Sequence, residues 1–202
     1  MGWGTEHEVD VALYIRDALA LSVAEGQVLP PVDPRVDVHI PAGVDRAAVQ
    51  EQWAGWWTYL LAYLRSREDP DPRGRHRRPA PVEGTAMRTA VELFAPIASR
   101  HFAVARGPAF RTEGDLAHGG LRTPGFHRRQ IVAGERLGQL VREAEVRQGR
   151  RAYPFRLNVI EISVAGPVWL RTAEDQLLIS SHFAEDGPKL ETLLREVIDA
   201  LA

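Results

Sequence analysis

Residues 53–64 read WAGWWTYLLAYL, and no other stretch restricts the fold as much. Three of the five tryptophans and two of the four tyrosines fall within it. Set on a helix at ~100° per residue, Trp53, Trp57, Leu60, Leu61 and Leu64 form a central apolar band. Trp56, Tyr59 and Tyr63 fall together on one flank and widen the apolar arc to about 220°, where a surface helix needs little more than ~100°. One neighbouring element does not cover such an arc. The central band is expected in the protein's own core. Trp56, Tyr59 and Tyr63 are the candidate partner-binding residues, because Trp and Tyr combine large apolar area with a polar handle. The stretch is also well short of the ~20 apolar residues that cross a bilayer, so no membrane partner is expected.

The surrounding chain predicts a helix-rich α+β fold. Thr5 with Glu8 three residues on resembles a capping box, and a helix is read from about Glu6 to Glu25 before Gly26. Its apolar stripe runs through Ala12, Ile15, Leu19 and Val23, with Asp10, Arg16 and Asp17 to one side. Four prolines in QVLPPVDPRVDVHIPAG forbid a helix and leave an extended connection. Asp45 is the expected cap of a second helix that ends near Ser66. A third runs from after Thr85 to about Arg106, where Pro96 is expected to kink or divide it. A fourth spans about Arg128 to Gln148.

The last fifty residues change character. FRLNVIEISV switches alternation parity midway, which reads as a bulge or as a strand buried on both faces. VWLR and QLLISSHF read as two more strands, giving a C-terminal three-stranded antiparallel meander. A final helix after Gly187 and Pro188, with leucines at i, i+3, i+4 and i+7, is expected to cover the meander. The domain reading is an N-terminal helical part over 1–66, a flexible basic linker or loop over 67–84, and helices plus sheet over 85–202, with one domain also compatible.

Composition removes whole chemistries. The chain has no cysteine, which rules out thiol catalysis, disulfides, Fe–S clusters and Cys-based zinc sites and accords with a cytoplasmic setting. Only Lys189 accompanies 24 arginines. The net charge of -2 is unevenly spread: three arginines face nine carboxylates over 1–64, twelve face five over 97–156, and three basic groups face eight carboxylates over 157–202. A basic middle between acidic ends fits packing of unlike segments, within the fold or across an oligomer, or a face for a polyanion.

Three further candidates for chemistry stand out. Arg73, Arg75, Arg77 and Arg78, in RGRHRRP, form a possible polyanion-binding arm, since guanidinium groups bond phosphates in a bidentate fork; no aromatic residue in the segment offers stacking. Asp115 and His118 in EGDLAHGG, with Glu113 before them and His127 after, are weak metal or acid/base candidates that lack the usual H-x(3–5)-H spacing. Ser181 and His182 are adjacent in a predicted strand, where neighbours point to opposite faces and do not pair. No P-loop, dinucleotide fingerprint or G-x-S-x-G is present. The expected function is therefore non-catalytic, without cofactor, through binding of another protein or self-association. A nucleic-acid role for the basic middle and an enzyme built on Asp115 and His118 are the alternatives.

Overall fold

The computed structural model describes residues 2–23, 29–66, 79–105 and 124–202, with side chains in the fourth helix from Arg136 onward. The elements are β1 (Gly2–Gly4), α1 (His7–Ala18), α2 (Arg46–Ser66), α3 (Ala86–Ala105), α4 (Pro124–Gln148), β2 (Asn158–Ile162), β3 (Trp169–Ala173), β4 (Gln176–Ser180), α5 (Ser181–Glu185) and α6 (Gly187–Leu201). They divide into two compact units. A helical unit holds Thr5–Phe102 and Ile162–Gly166; a sheet unit holds Met1–Gly4, Ala103–Glu161 and Pro167–Ala202.

In the helical unit, α1 is shorter than its sequence pattern implies. Its N-cap is Glu6 with no side-chain cap bond, so the Thr5–Glu8 capping box does not form. The helix ends at Ala18, and Ala20 turns the chain with φ 46°. The end is closed from α2. Arg46 donates through Nε to the Leu19 carbonyl (2.6 Å) and through Nη2 to the Ala20 carbonyl (2.6 Å). Gln50 accepts from Ser22 N–H (2.7 Å) and donates to its carbonyl (2.8 Å). These side chains satisfy backbone groups that an ending helix leaves unpaired.

The expected polar side of α1 is also corrected. Asp10 and Arg16 are buried, as is almost every residue from Val9 to Ala18. A buried guanidinium persists only where its donors are matched. Arg16 donates to the Leu29 carbonyl (3.0 Å), the Pro30 carbonyl (2.7 Å) and Asp17 Oδ1 (2.6 Å). Asp17 Oδ2 in turn accepts from Val32 N–H (2.6 Å). The proline-rich connection is thereby fixed to the helix. It continues into a bridge between Val32 and Val164, flanked by Asp33 N–H to the Ser163 carbonyl (3.0 Å) and Ala165 N–H to the Pro31 carbonyl (2.8 Å).

Asp45 caps α2 as expected, accepting from Ala48 N–H at 3.1 Å. α3 begins where Thr85 Oγ1 accepts from Arg88 N–H (3.2 Å) and where Gln52 Oε1, on α2, accepts from Met87 N–H (2.9 Å). The helix runs unbroken through the exposed Pro96, so the expected division does not occur. Met87, Ala90, Phe94, Ala98 and Phe102 are buried along one side at the helical spacing.

The sheet unit departs from the meander. Its sheet has four strands in the order β1-β2-β4-β3. β1, which the sequence did not signal, pairs in parallel with β2, Trp3 opposite Val159. β3 and β4 form an antiparallel hairpin with a register shift between Arg171 and Ala173. β2 therefore neighbours β4, and β3 lies at the edge. The reason is that the chain leaves β2 for Ile162–Gly166 of the helical unit and returns only at Pro167. β3 then has no tight turn linking it to β2. The parity switch in β2 resolves as burial on both faces, with Val159 to Ile162 all buried.

QLLISSHF is likewise not one strand. Ser180 ends β4, and its hydroxyl accepts from Phe183 N–H (3.0 Å) to cap the short α5 and from Val168 N–H (3.0 Å). Ser181 and His182 thus lie on a helix. α6 follows, capped by Asp186 on Lys189 N–H (3.2 Å). Its Leu193, Leu194, Val197 and Ile198 share one core with Trp3, Leu140, Ala144, Val159, Leu177 and Ile179. Across α4 and α6, Arg136 bonds Glu191, Arg195 donates to Glu143 (2.8 Å) and Arg147 donates to Asp199 (2.5 Å), while within α6 Arg195 also donates to Glu191 (3.1 Å). The Arg136 and Arg195 hydrogen bonds hold the Glu191 carboxyl below the usual range. These solvent-screened pairs add little stability, so apolar packing dominates.

Two outcomes follow from these contacts. Leu194→Asp places a carboxylate among apolar side chains and is expected to destabilise the protein by upwards of about 4 kcal/mol, measured by urea titration; a soluble variant with unchanged melting removes α6 from the core. Arg16→Met leaves Asp17 without its cationic partner and the Leu29 and Pro30 carbonyls without their donor, and is expected to cost about 3–5 kcal/mol, read from tryptophan fluorescence on unfolding.

Candidate functional site

The aromatic stretch on α2 separates into a buried part and a presented part. Trp53 and Trp57 stack with ring centroids 5.4 Å apart and planes 10° apart. Trp53 Nε1 donates to the Ala12 carbonyl of α1 at 3.1 Å. Trp53, Trp57, Leu60 and Leu64 of the expected band are buried, and Leu61 is half-buried. On the flank, Trp56 is buried too, at 6% exposure. Its indole Nε1 has no hydrogen-bond partner among the described residues. A buried donor left unpaired costs about 1–3 kcal/mol. Tyr63 is half-buried, whereas Tyr59 is 53% exposed. The two phenol rings lie 6.5 Å apart, tilted by 41°. Gly55 and Ala62, which helical phase sets next to Tyr59, are exposed as well, so large aromatic area borders small residues there.

A second grouping in the helical unit carried no sequence signal. Tyr14 of α1 meets Phe94 (5.9 Å between centroids) and the edge of His101 (5.3 Å). His39, from the extended connection, packs against Phe94 at 5.3 Å. His101 lies 2.9 Å from the Pro34 carbonyl through Nε2, and His39 lies 3.1 Å from the Asp37 carbonyl through Nδ1. A carbonyl only accepts, so these nitrogens carry protons. Burial, and then the negative charge of Asp37, push the Tyr14 phenol above its ordinary value, keeping it neutral. The grouping fastens residues 34–39 to α1 and α3. Its parts come from positions 14, 39, 94 and 101, and no local pattern announces such a meeting.

The other sequence candidates are not brought to these places. Arg73, Arg75, Arg77, Arg78, Glu113, Asp115 and His118 lie outside the described residues, and His127 is on α4 with its side chain outside them. Among the described residues no group of three or more His, Asp or Glu side chains is placed to hold a metal ion. None of the helices described is long and apolar enough to cross a membrane. Compared with protein families, curated proteins and solved structures, the chain matches none.

The Tyr14 environment gives a pH dependence with a definite sign. The folded state holds the phenolic proton more tightly than the unfolded state. Stability from this group is complete below the unfolded value of ~10 and is lost as pH rises through the folded value. Relative to Tyr14→Phe, the wild type is expected to lose stability above about pH 10 and not below it, measured by denaturant titration across alkaline pH. Parallel curves for the two proteins throughout remove the raised phenol.

Proposed function

We propose that this protein acts without catalysis, by binding another polypeptide or a second copy of itself through the Trp56–Tyr59–Tyr63 flank of α2. The observation that carries this reading is the pairing of the exposed Tyr59 with the half-buried Tyr63 beside a buried Trp56 whose N–H is unanswered among the described residues. Tyr59 and Tyr63 offer ring area with two hydroxyl tips. Such side chains lose little rotamer freedom on docking and are enriched among interface hot spots. The exposed Gly55 and Ala62, four residues before and three after Tyr59, let a partner backbone come close. A Cβ added at Gly55 would meet nothing within 4 Å, so its small size answers no crowding within the fold.

The test separates the presented tyrosines from the core beneath them. Tyr59→Ser with Tyr63→Ser is expected to weaken self-association, or capture of a stoichiometric copurifying partner, by tenfold or more, at about 1–2 kcal/mol per tyrosine. Melting should be nearly unchanged. Sedimentation and affinity purification read the first quantity and thermal unfolding the second. Assembly that survives the double change, or a protein that is monomeric and partnerless with both tyrosines intact, overturns the reading. Trp56 is unsuitable for this purpose, because truncating a buried Trp costs about 3–5 kcal/mol by itself.

A further inference from the structure

The sheet unit contains an open apolar groove that the α2 surface does not involve. α4 ends at Gln148, and Gly149, with φ 65°, reverses the chain. Residues 152–157 then run back beside the helix before entering β2. Glu145 of α4 pins this return, its Oε1 accepting from Ala152 N–H at 3.0 Å. The returning stretch has no strand or helix assignment, and Pro154 lacks an N–H. No ladder draws it tight against the helix. The space left is about 310 Å³, walled by Leu137, Val141, Ala152, Tyr153, Phe155 and Leu157. Leu137, Val141, Ala152 and Phe155 pack on the sheet-unit core yet are only partly buried. The volume stands at the lower end of ligand pockets, with room for one or two bulky side chains rather than a large cofactor.

The surroundings carry an excess of positive charge. Arg142, Arg150, Arg151 and Arg156, on the helix and the returning chain, are all exposed. Arg136 and Arg147 of the same helix are neutralised by Glu191 and Asp199. Arg142 and Arg151, by contrast, take part in no ion pair among the described residues. Arg150 lies over the Tyr153 ring, 5.7 Å from its centroid, and donates to the Ala202 oxygen at 2.5 Å. Tyr153 itself is 75% exposed. Glu145 is the one carboxylate in the lining, already engaged by the Ala152 amide. An apolar floor with arginines around it selects an occupant that joins a bulky apolar side chain to carboxylates, and charge complementarity fixes its register.

We propose that the groove between α4 and residues 152–157 docks an acidic peptide segment of a partner protein, anchored by a leucine or aromatic side chain on Leu137, Val141 and Phe155. Tyr153 forms one wall, and Arg142 and Arg151 face the carboxylates. This proposal does not rest on the α2 flank. The intact chain, immobilised, is panned against a displayed random-peptide library, and enriched sequences are titrated as synthetic peptides. Enrichment of Asp or Glu next to Leu, Phe or Trp is expected. So is a tenfold or greater loss of affinity for Tyr153→Ser and for Arg142→Glu with Arg151→Glu, all of which alter exposed side chains and should melt like the wild type. Affinity should also fall with added salt. The proposal is overturned if no peptide is enriched over the Tyr153→Ser protein, if enriched peptides are not acidic, or if their binding ignores these changes. Decanoate shifting the Leu137 and Val141 methyl signals where no peptide does would make the groove a small-molecule site and equally end the proposal.

Discussion

The helical unit depends on one buried cation. Arg16 stands on a helix that is buried on nearly every side, and its guanidinium is almost wholly out of water. That loss is offset only because the chain returns two carbonyls, of Leu29 and Pro30, and the carboxylate of Asp17 to its donors. The same requirement gives the connection its shape. A stretch with several prolines forms few backbone ladders, so its position has to be set by side chains. Once Leu29 to Val32 are held, Val32 meets Val164 and the neighbouring amides find their carbonyls. The path of the connection from Leu29 to Val32 therefore has an electrostatic cause.

The sheet unit relies instead on apolar packing assembled from distant parts of the chain. Trp3 reaches the core through three residues of strand, and its indole donates to the buried Glu161 carboxylate at 3.3 Å. α6 supplies the broadest stripe, and α4 lies beside it, their facing flanks tied by arginine–carboxylate pairs. These pairs align two helices whose attraction comes from the leucines between them. The side of α4 that carries Leu137, Val141 and Glu145 and the return of the chain after Gly149 leave the apolar groove between them.

The two surfaces differ in the physics they offer. On α2, flat aromatic area and small neighbours suit another regular element laid along the helix. Beside α4, a short recess with arginines around it suits a side chain inserted endwise and steered by charge. Helical phase sets Trp56, Tyr59 and Tyr63 on one flank of α2, but phase does not tell which of them a neighbour covers. Trp56 is buried and Tyr59 is presented, although they are three residues apart.

Local patterns in the sequence determined the helices over 46–66, 86–105 and 187–201, because apolar spacing, Asp45, Thr85 and the Asp186–Pro188 start act within a few residues. They also determined the two extended runs of the C-terminal hairpin. What the tertiary structure decided is whatever depends on partners far along the chain. The end of α1 at Ala18 is set by Arg46 and Gln50; the order β1-β2-β4-β3 is set by an excursion into the other unit; the burial of Asp10 and Arg16 overrides their polarity. The Tyr14–His39–His101 grouping and the α4 groove are likewise invisible to periodicity. Helical phase and capping are short-range properties of the backbone, and one chain suffices to read them. Pairing, coverage and desolvation are properties of neighbours, and they exist only once the chain has returned to meet itself.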